Sequence, residues 1–149
     1  MGPAELPPDF SAFLRLLNAH RVSYLIIGGY AVGFHGHPRA TADIDIWIPQ
    51  RADTARRVVA TIREFGFDTP QLSEELFLQP DQVIRLGVPP VRIELLTSIA
   101  GVEFDDCAQR SVAAVLGGVA VRFIGLADLK RNKLAAGRHQ DLADLEHLP

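Results

Sequence analysis

Apolar positions along the chain change their spacing several times, and each change marks an element. After Pro7 and Pro8, residues that open helices readily, Phe10, Phe13, Leu14 and Leu17 recur at helical spacing and predict a helix with one apolar face. Tyr24-Leu25-Ile26-Ile27 is a short continuous apolar run ending at Gly28-Gly29, the pattern of a buried strand. Tyr30 to Phe34 can form a helical segment before Gly36-His37-Pro38 breaks it. Asp43 to Ile48 alternates strictly: Ile44, Ile46 and Ile48 fall on one face of a strand, Asp43, Asp45 and Trp47 on the other, and Pro49 closes it. Ala55, Val58, Val59, Ile62 and Phe65 make an apolar stripe along a helix from Ala52 to Phe65.

The second half repeats the mixture. Ser73 is placed to cap a short helix through Phe77. Val83 to Leu86 and Val91 to Leu96 predict two strands around the turn Gly87-Val88-Pro89-Pro90. Phe104 to Arg110 predicts a helical turn. Ala113 to Leu116 and Val119 to Phe123 flank Gly117-Gly118, a strong hairpin signal. A helix from Leu126 to Ala136 stops at Gly137, and Gln140 to Leu148 predicts a last one. Helices interleaved with strands and two hairpins predict an α/β (α+β) fold on a mixed β-sheet. No repeat, linker or low-complexity tract divides the chain, so 1–149 is expected to be one domain.

Composition narrows the class of protein. A chain of 149 residues buries on the order of 70% of its unfolded surface. With 48% hydrophobic and 22% charged residues, disorder as the dominant state is excluded. Lys plus Arg is 15 against 18 for Asp plus Glu, so no global basic field exists and nucleic-acid contact would need a local patch. Cys107 is the single cysteine, which excludes an internal disulfide and CxxC zinc sites and leaves a small buried apolar residue as its expected role. The opening MGPAELPPDF has neither the basic start nor the apolar run of a signal peptide, and no apolar stretch approaches the roughly 20 residues of a membrane span. A cytoplasmic location is expected, with no membrane partner.

The candidate chemistry lies between Tyr24 and Ile48, with one addition. Period 2 puts Asp43 and Asp45 on one strand face while isoleucines pin the other to the core. Asp is unfavourable in strands, so two on one short strand call for a reason. Glu94 sits in VRIELL, where Arg92, Glu94 and Leu96 share a face. If the two strands are neighbours, three carboxylates converge, and such a cluster raises its own pKa values unless a cation neutralises it. Hard oxygen ligands of this kind suit Mg²⁺ or Mn²⁺. A solvent-facing acidic strand is the plain alternative. Gly28-Gly29, at a strand end with a helix following, lets a phosphate approach the backbone; an ordinary turn is its alternative. GxGxxG is absent.

The combination is more specific than its parts. Gly-Gly, thirteen residues, then Asp-Ile-Asp, with a later strand carboxylate, resembles the signature of the polymerase-β-like nucleotidyltransferase superfamily. GGYAVGFHGHPRATADIDIWI, VRIELL and the tail LADLKRNKLAAGRHQDLADLEHL are similar to the compact bacterial branch of AbiEii-type toxins and lincosamide nucleotidyltransferases. The resemblance runs from about Tyr24 to Leu148. It implies a palm-like mixed sheet with closing C-terminal helices and transfer of a nucleoside monophosphate from an NTP to an acceptor hydroxyl. It further implies that Asp43, Asp45 and Glu94 hold Mg²⁺ or Mn²⁺, that Gly28 and Gly29 cradle phosphates, and that Glu94 completes the metal site and acts as general base. Glu94 stands where this branch more often has Asp, and the longer side chain moves its oxygens by about 1.5 Å.

The same resemblance implies that Arg39 and Thr41 contact nucleotide phosphates or orient the aspartates, and that Lys133 and Arg138 reach the nucleotide. The plain alternatives are a solvated loop arginine and solvated helical cations. Asp141 and Asp144 are expected to cap or pair. His35 and His37 are expected near the phosphate pocket as loop residues, with His20, His139 and His147 without a site role, and Trp47 to pack beneath the site, with stacking on a base as its alternative. The acceptor implied is RNA (such as a tRNA end) or a protein, as in toxin–antitoxin systems, with a small antibiotic-like molecule or a non-catalytic nucleotide-binding or partner-binding module as alternatives. A domain this small leaves little for gripping an acceptor, so a homodimer or a toxin–antitoxin partner is expected.

Overall fold

The computed structural model describes residues 6–149. Helix α1 spans Pro8–Ala19, β1 Leu25–Ile27, α2 Gly28–Phe34, β2 Asp43–Trp47 and α3 Ala52–Phe65. A 3₁₀ turn covers Glu74–Leu78. Strands β3 Val83–Val88 and β4 Val91–Leu96, helix α4 Phe104–Gln109, strands β5 Val112–Leu116 and β6 Val119–Phe123, and helices α5 Leu126–Ala136 and α6 His139–His147 complete the chain. This is the mixed α+β arrangement expected, with most boundaries within a residue or two.

The six strands of the described residues form one sheet in the order β3-β4-β2-β1-β6-β5. β1 runs antiparallel to β2, β2 parallel to β4, and β1 parallel to β6, so the two hairpins are carried on the outside. The alternation of β2 survives folding: Ile44 and Ile46 are buried completely while Asp43 and Asp45 are only partly covered. Helices α1 and α3 pack together, with Phe13 meeting Phe65 edge to face at 5.1 Å between ring centroids. Burial of that one apolar face fixes which way the aspartates point.

Three local expectations change. The first hairpin's turn is only Pro89-Pro90, because β3 continues through Gly87 and Val88, which pair with Arg92 and Val91. Two prolines without N–H groups end the ladder at the tip rather than two residues earlier. The segment after Ser73 is a 3₁₀ turn, and Ser73 makes no side-chain cap. The second hairpin matches its signal: Gly117 and Gly118 both have positive φ, 57° and 79°, which a tight two-residue turn requires. No helix among the described residues is long and apolar enough to cross a membrane.

Candidate active site

One register builds the site. β2 and β4 lie side by side and parallel, so Asp43 faces Arg92 and Asp45 faces Glu94. Strand parity places all four side chains on the same surface, and the convergence expected of Asp43, Asp45 and Glu94 is present. On the other flank Ile27, the last residue of β1, pairs with Asp45. The chain therefore turns at Gly28 directly beside that carboxylate. Gly28 has a φ of +66°, and a Cβ there would stand 2.1 Å from Asp45 Oδ2. A Cβ on Gly29 would stand 2.7 Å from Thr41 Oγ1 and 3.3 Å from Arg39 Nη1. Gly28 is where backbone meets the acidic cluster with no side chain between, and Gly29 is where it meets Thr41 and Arg39.

Charge is concentrated here and only partly neutralised. Burial, then the charge of Glu94 and a hydrogen bond with it, then Asp43, push the Asp45 carboxyl up to about 7, with Lys133 acting in the opposite sense. Asp43 is held differently. Arg92 Nε and Nη2 donate to its two oxygens at 3.2 and 2.9 Å, and Nη2 also lies 3.2 Å from Glu94 Oε1. Arg85, opposite Glu94 on β3, approaches the same oxygen at 3.4 Å. Thr41 Oγ1 donates to the Asp43 carbonyl at 3.1 Å, which ties the loop before β2 to its first residue.

A second network closes the site from the C-terminal helices. Lys133 on α5 is almost wholly buried, and its ammonium lies 3.1 Å from Asp141 and 2.9 Å from Asp144, both on α6. Arg39 grips Asp144 with two bonds, Nε at 2.8 Å and Nη2 at 3.0 Å, and so joins the β2 loop to α6. Arg138, just before α6, donates from Nε to Asp141 at 2.7 Å, and the same Asp141 oxygen accepts from the Arg138 backbone N–H at 3.2 Å, while the Arg138 side chain stays largely exposed. Burial alone would raise Asp144, but the bonds from Arg39 and Lys133 outweigh it and bring the carboxyl down to about 2. The solvated-lysine alternative for Lys133 is thus corrected: two buried carboxylates draw it inward. Asp141 and Asp144 pair, as expected.

Other candidates are placed more plainly. Trp47 packs edge to face on Phe104 at 5.1 Å, as expected of it. His35 bonds the Ile124 carbonyl at 2.7 Å, and His37 stacks on His147 at 4.2 Å. Cys107 is fully buried beside Asp128, and burial pushes its thiol up to about 12, which fits a packing residue. Asp128 binds Arg110 and Arg131. An apolar cavity of about 420 Å³, lined by Tyr30, Phe34, Phe123 and Leu116, opens next to Gly29, Arg39 and Thr41.

A family described as "Nucleotidyl transferase of unknown function (DUF2204)" matches residues 8–149. The chain belongs to this family. Its nucleotidyltransferase fold recurs in solved structures of low sequence similarity. A protein from Thermotoga maritima described as a candidate nucleotidyltransferase shares 16% identity, with a TM-score of 0.60 over 90% of this chain and 86% of that one. An antigenic nucleotidyltransferase-like protein from Paracoccidioides brasiliensis shares 16% identity, with a TM-score of 0.56 over 92% of this chain and 72% of that one. No curated protein matches.

The donor set of this nucleotidyltransferase-family chain fits a hard divalent cation in part. Asp45 and Glu94 present partly buried oxygens to each other with excess negative charge between them. Asp43 does not contribute while Arg92 takes both its oxygens, and among the described residues no group of three His, Cys, Asp or Glu side chains is arranged to hold a metal as it stands. Arg92 and Arg85 carry no role in the sequence-based expectation. The signal for Arg92 was its parity with Glu94, which becomes informative only once β4 is known to pair in register with β2.

Proposed function

We propose that the chain is a divalent-metal-dependent nucleotidyltransferase that moves a nucleoside monophosphate from an NTP to an acceptor hydroxyl on RNA or protein. The observation that carries this reading is the meeting of Asp45, Glu94 and Gly28 at one point of the sheet. A carboxylate pair needs a cation, and the adjoining side-chain-free turn admits phosphates. In the reaction the acceptor oxygen bonds to the α-phosphorus, the bond to the bridging oxygen of the β-phosphate breaks, and pyrophosphate leaves. Glu94 is the group assigned to take the acceptor proton.

Gly28 and Gly29 let the β- and γ-phosphates approach the backbone. Arg39 and Thr41, at the edge of that turn, orient the phosphates and the aspartate strand. Lys133 and Arg138 hold positive charge beside the cluster, where the field of Asp45 and Glu94 already bears on Arg138. Mg²⁺ or Mn²⁺ would be held by Asp45 and Glu94, and by Asp43 when its oxygens are free. Bound there, it offsets charge on the phosphate oxygens.

A second reading has the apolar cavity in its favour. At about 420 Å³ it is of a size that holds a small molecule, and it adjoins Gly29, Arg39 and Thr41. A drug-like hydroxyl compound is then the acceptor. Labelled ATP, CTP, GTP or UTP, incubated with Mg²⁺ or Mn²⁺ and with pools of tRNA, protein, aminoglycosides or lincosamides, separates the two. Label in RNA or protein, lost in Asp45→Asn, supports the first reading; label in a small molecule supports the second. Transfer that survives Asp43→Ala combined with Asp45→Ala contradicts the site.

A further inference from the structure

We infer that Arg92 is a resident counter-ion that stands in for a divalent cation at Asp43 and Glu94 and must yield Asp43 when the cation binds. The inference rests on the metal-dependent reading of the site and adds its regulation. Arg92 Nε and Nη2 occupy both oxygens of Asp43, at 3.2 and 2.9 Å, and Nη2 reaches Glu94 Oε1 at 3.2 Å. A planar fork on a carboxylate leaves little for another ligand. The same guanidinium therefore does two things: it lowers the repulsion among three carboxylates on one surface, and it takes Asp43 out of any metal's reach.

The surroundings make the exchange local. Arg92 and Asp43 are direct partners in the β2–β4 ladder, so release needs a side-chain rotation and no movement of either strand. The Arg92 side chain is 29% exposed, which leaves it a route into solvent. Arg85 approaches Glu94 from the opposite strand at 3.4 Å and is more than half exposed, so Glu94 keeps a cationic neighbour after Arg92 leaves. Among the described residues no arginine bonds Asp45, whose partner is Glu94, so this pair meets the cation first. An arginine that merely bolted β2 to β4 would stabilise the strands and leave cation affinity unchanged.

The test is Mn²⁺ titration of wild type and Arg92→Gln without nucleotide, followed by electron paramagnetic resonance, with thermal melts at each Mn²⁺ concentration. Arg92→Gln is expected to bind Mn²⁺ at least tenfold tighter than wild type and to gain more in Tm from it. Arg92→Lys, whose single ammonium cannot fork both oxygens, is expected in between and covers the case that the glutamine variant folds poorly. Adding Asp43→Asn to either variant is expected to abolish the gain. Equal or weaker Mn²⁺ binding in both variants, with clear binding in wild type, overturns the role of Arg92 and leaves the metal-dependent reading standing. No Mn²⁺ binding in any of them, with or without ATP, overturns both.

Discussion

Gly28 and Asp45 are packed so closely that a methyl group does not fit between them: a Cβ on the glycine would lie 2.1 Å from Asp45 Oδ2. Gly28 also has a φ of +66°, where other residues are strained. Gly28→Ala is therefore expected to cost roughly 1–3 kcal/mol of stability and to push the Asp45 carboxylate out of line with Glu94. Differential scanning calorimetry and NTP titration check this. A variant with wild-type Tm and wild-type cation-dependent NTP binding would contradict the close approach.

Asp45→Asn keeps the shape of the side chain and removes a charge that Glu94 and Asp43 both repel. The metal-free variant is expected to melt at or above the wild-type temperature at pH 8, while cation-dependent NTP binding is lost. Higher stability with lost binding marks a residue kept for chemistry at the fold's expense. A clear fall in Tm would instead make Asp45 a structural residue.

Asp144 joins three parts of the chain, since Arg39 and Lys133 both end on it and Gln140 donates to it at 3.0 Å. Its carboxyl is held at about 2 in the fold against an ordinary value of 3.8. A depressed carboxyl contributes stability above its unfolded pKa and loses it as pH falls through the folded one. Wild type is thus expected to lose stability steeply between about pH 4 and 2. Asp144→Asn, which leaves a buried ammonium short of one partner, is expected to cost about 3–5 kcal/mol at pH 7. The gap between the two proteins narrows on acidification; pH-dependent melts showing a constant gap would contradict the assignment.

Lys133→Met tests the same network from its cationic side. It leaves Asp141 and Asp144 buried with only Arg138, Arg39 and Gln140 for company, and is expected to destabilise by about 3–5 kcal/mol. Lys133→Arg, too large for a pocket in which the native side chain is 5% exposed, is expected to recover only part of that. Denaturant melts measure both. Wild-type stability in Lys133→Met would return Lys133 to the solvated face of its helix.

Much of this was legible before folding, and for identifiable reasons. The alternation of Asp43 to Ile48 settles which side is buried, because a one-residue slip would bury both aspartates. Gly117-Gly118 defines its hairpin through the positive φ that both residues need. Less was legible wherever meaning depends on pairing between distant segments. Arg92 looks like any strand arginine until β4 takes its register beside β2. Lys133 looks like a surface lysine until α6 brings two carboxylates onto it, and Arg39 like a loop cation until Asp144 meets it across 105 positions. Single side chains carry periodicity; their partners come from topology.

The most direct test of the central claim is calorimetric titration of NTP into wild type and Asp45→Asn, each with Mg²⁺ and with EDTA. NTP binding that needs Mg²⁺ in wild type and disappears in Asp45→Asn is the result predicted. Binding that is unchanged by EDTA, or that persists in Asp45→Asn at wild-type affinity, would contradict it.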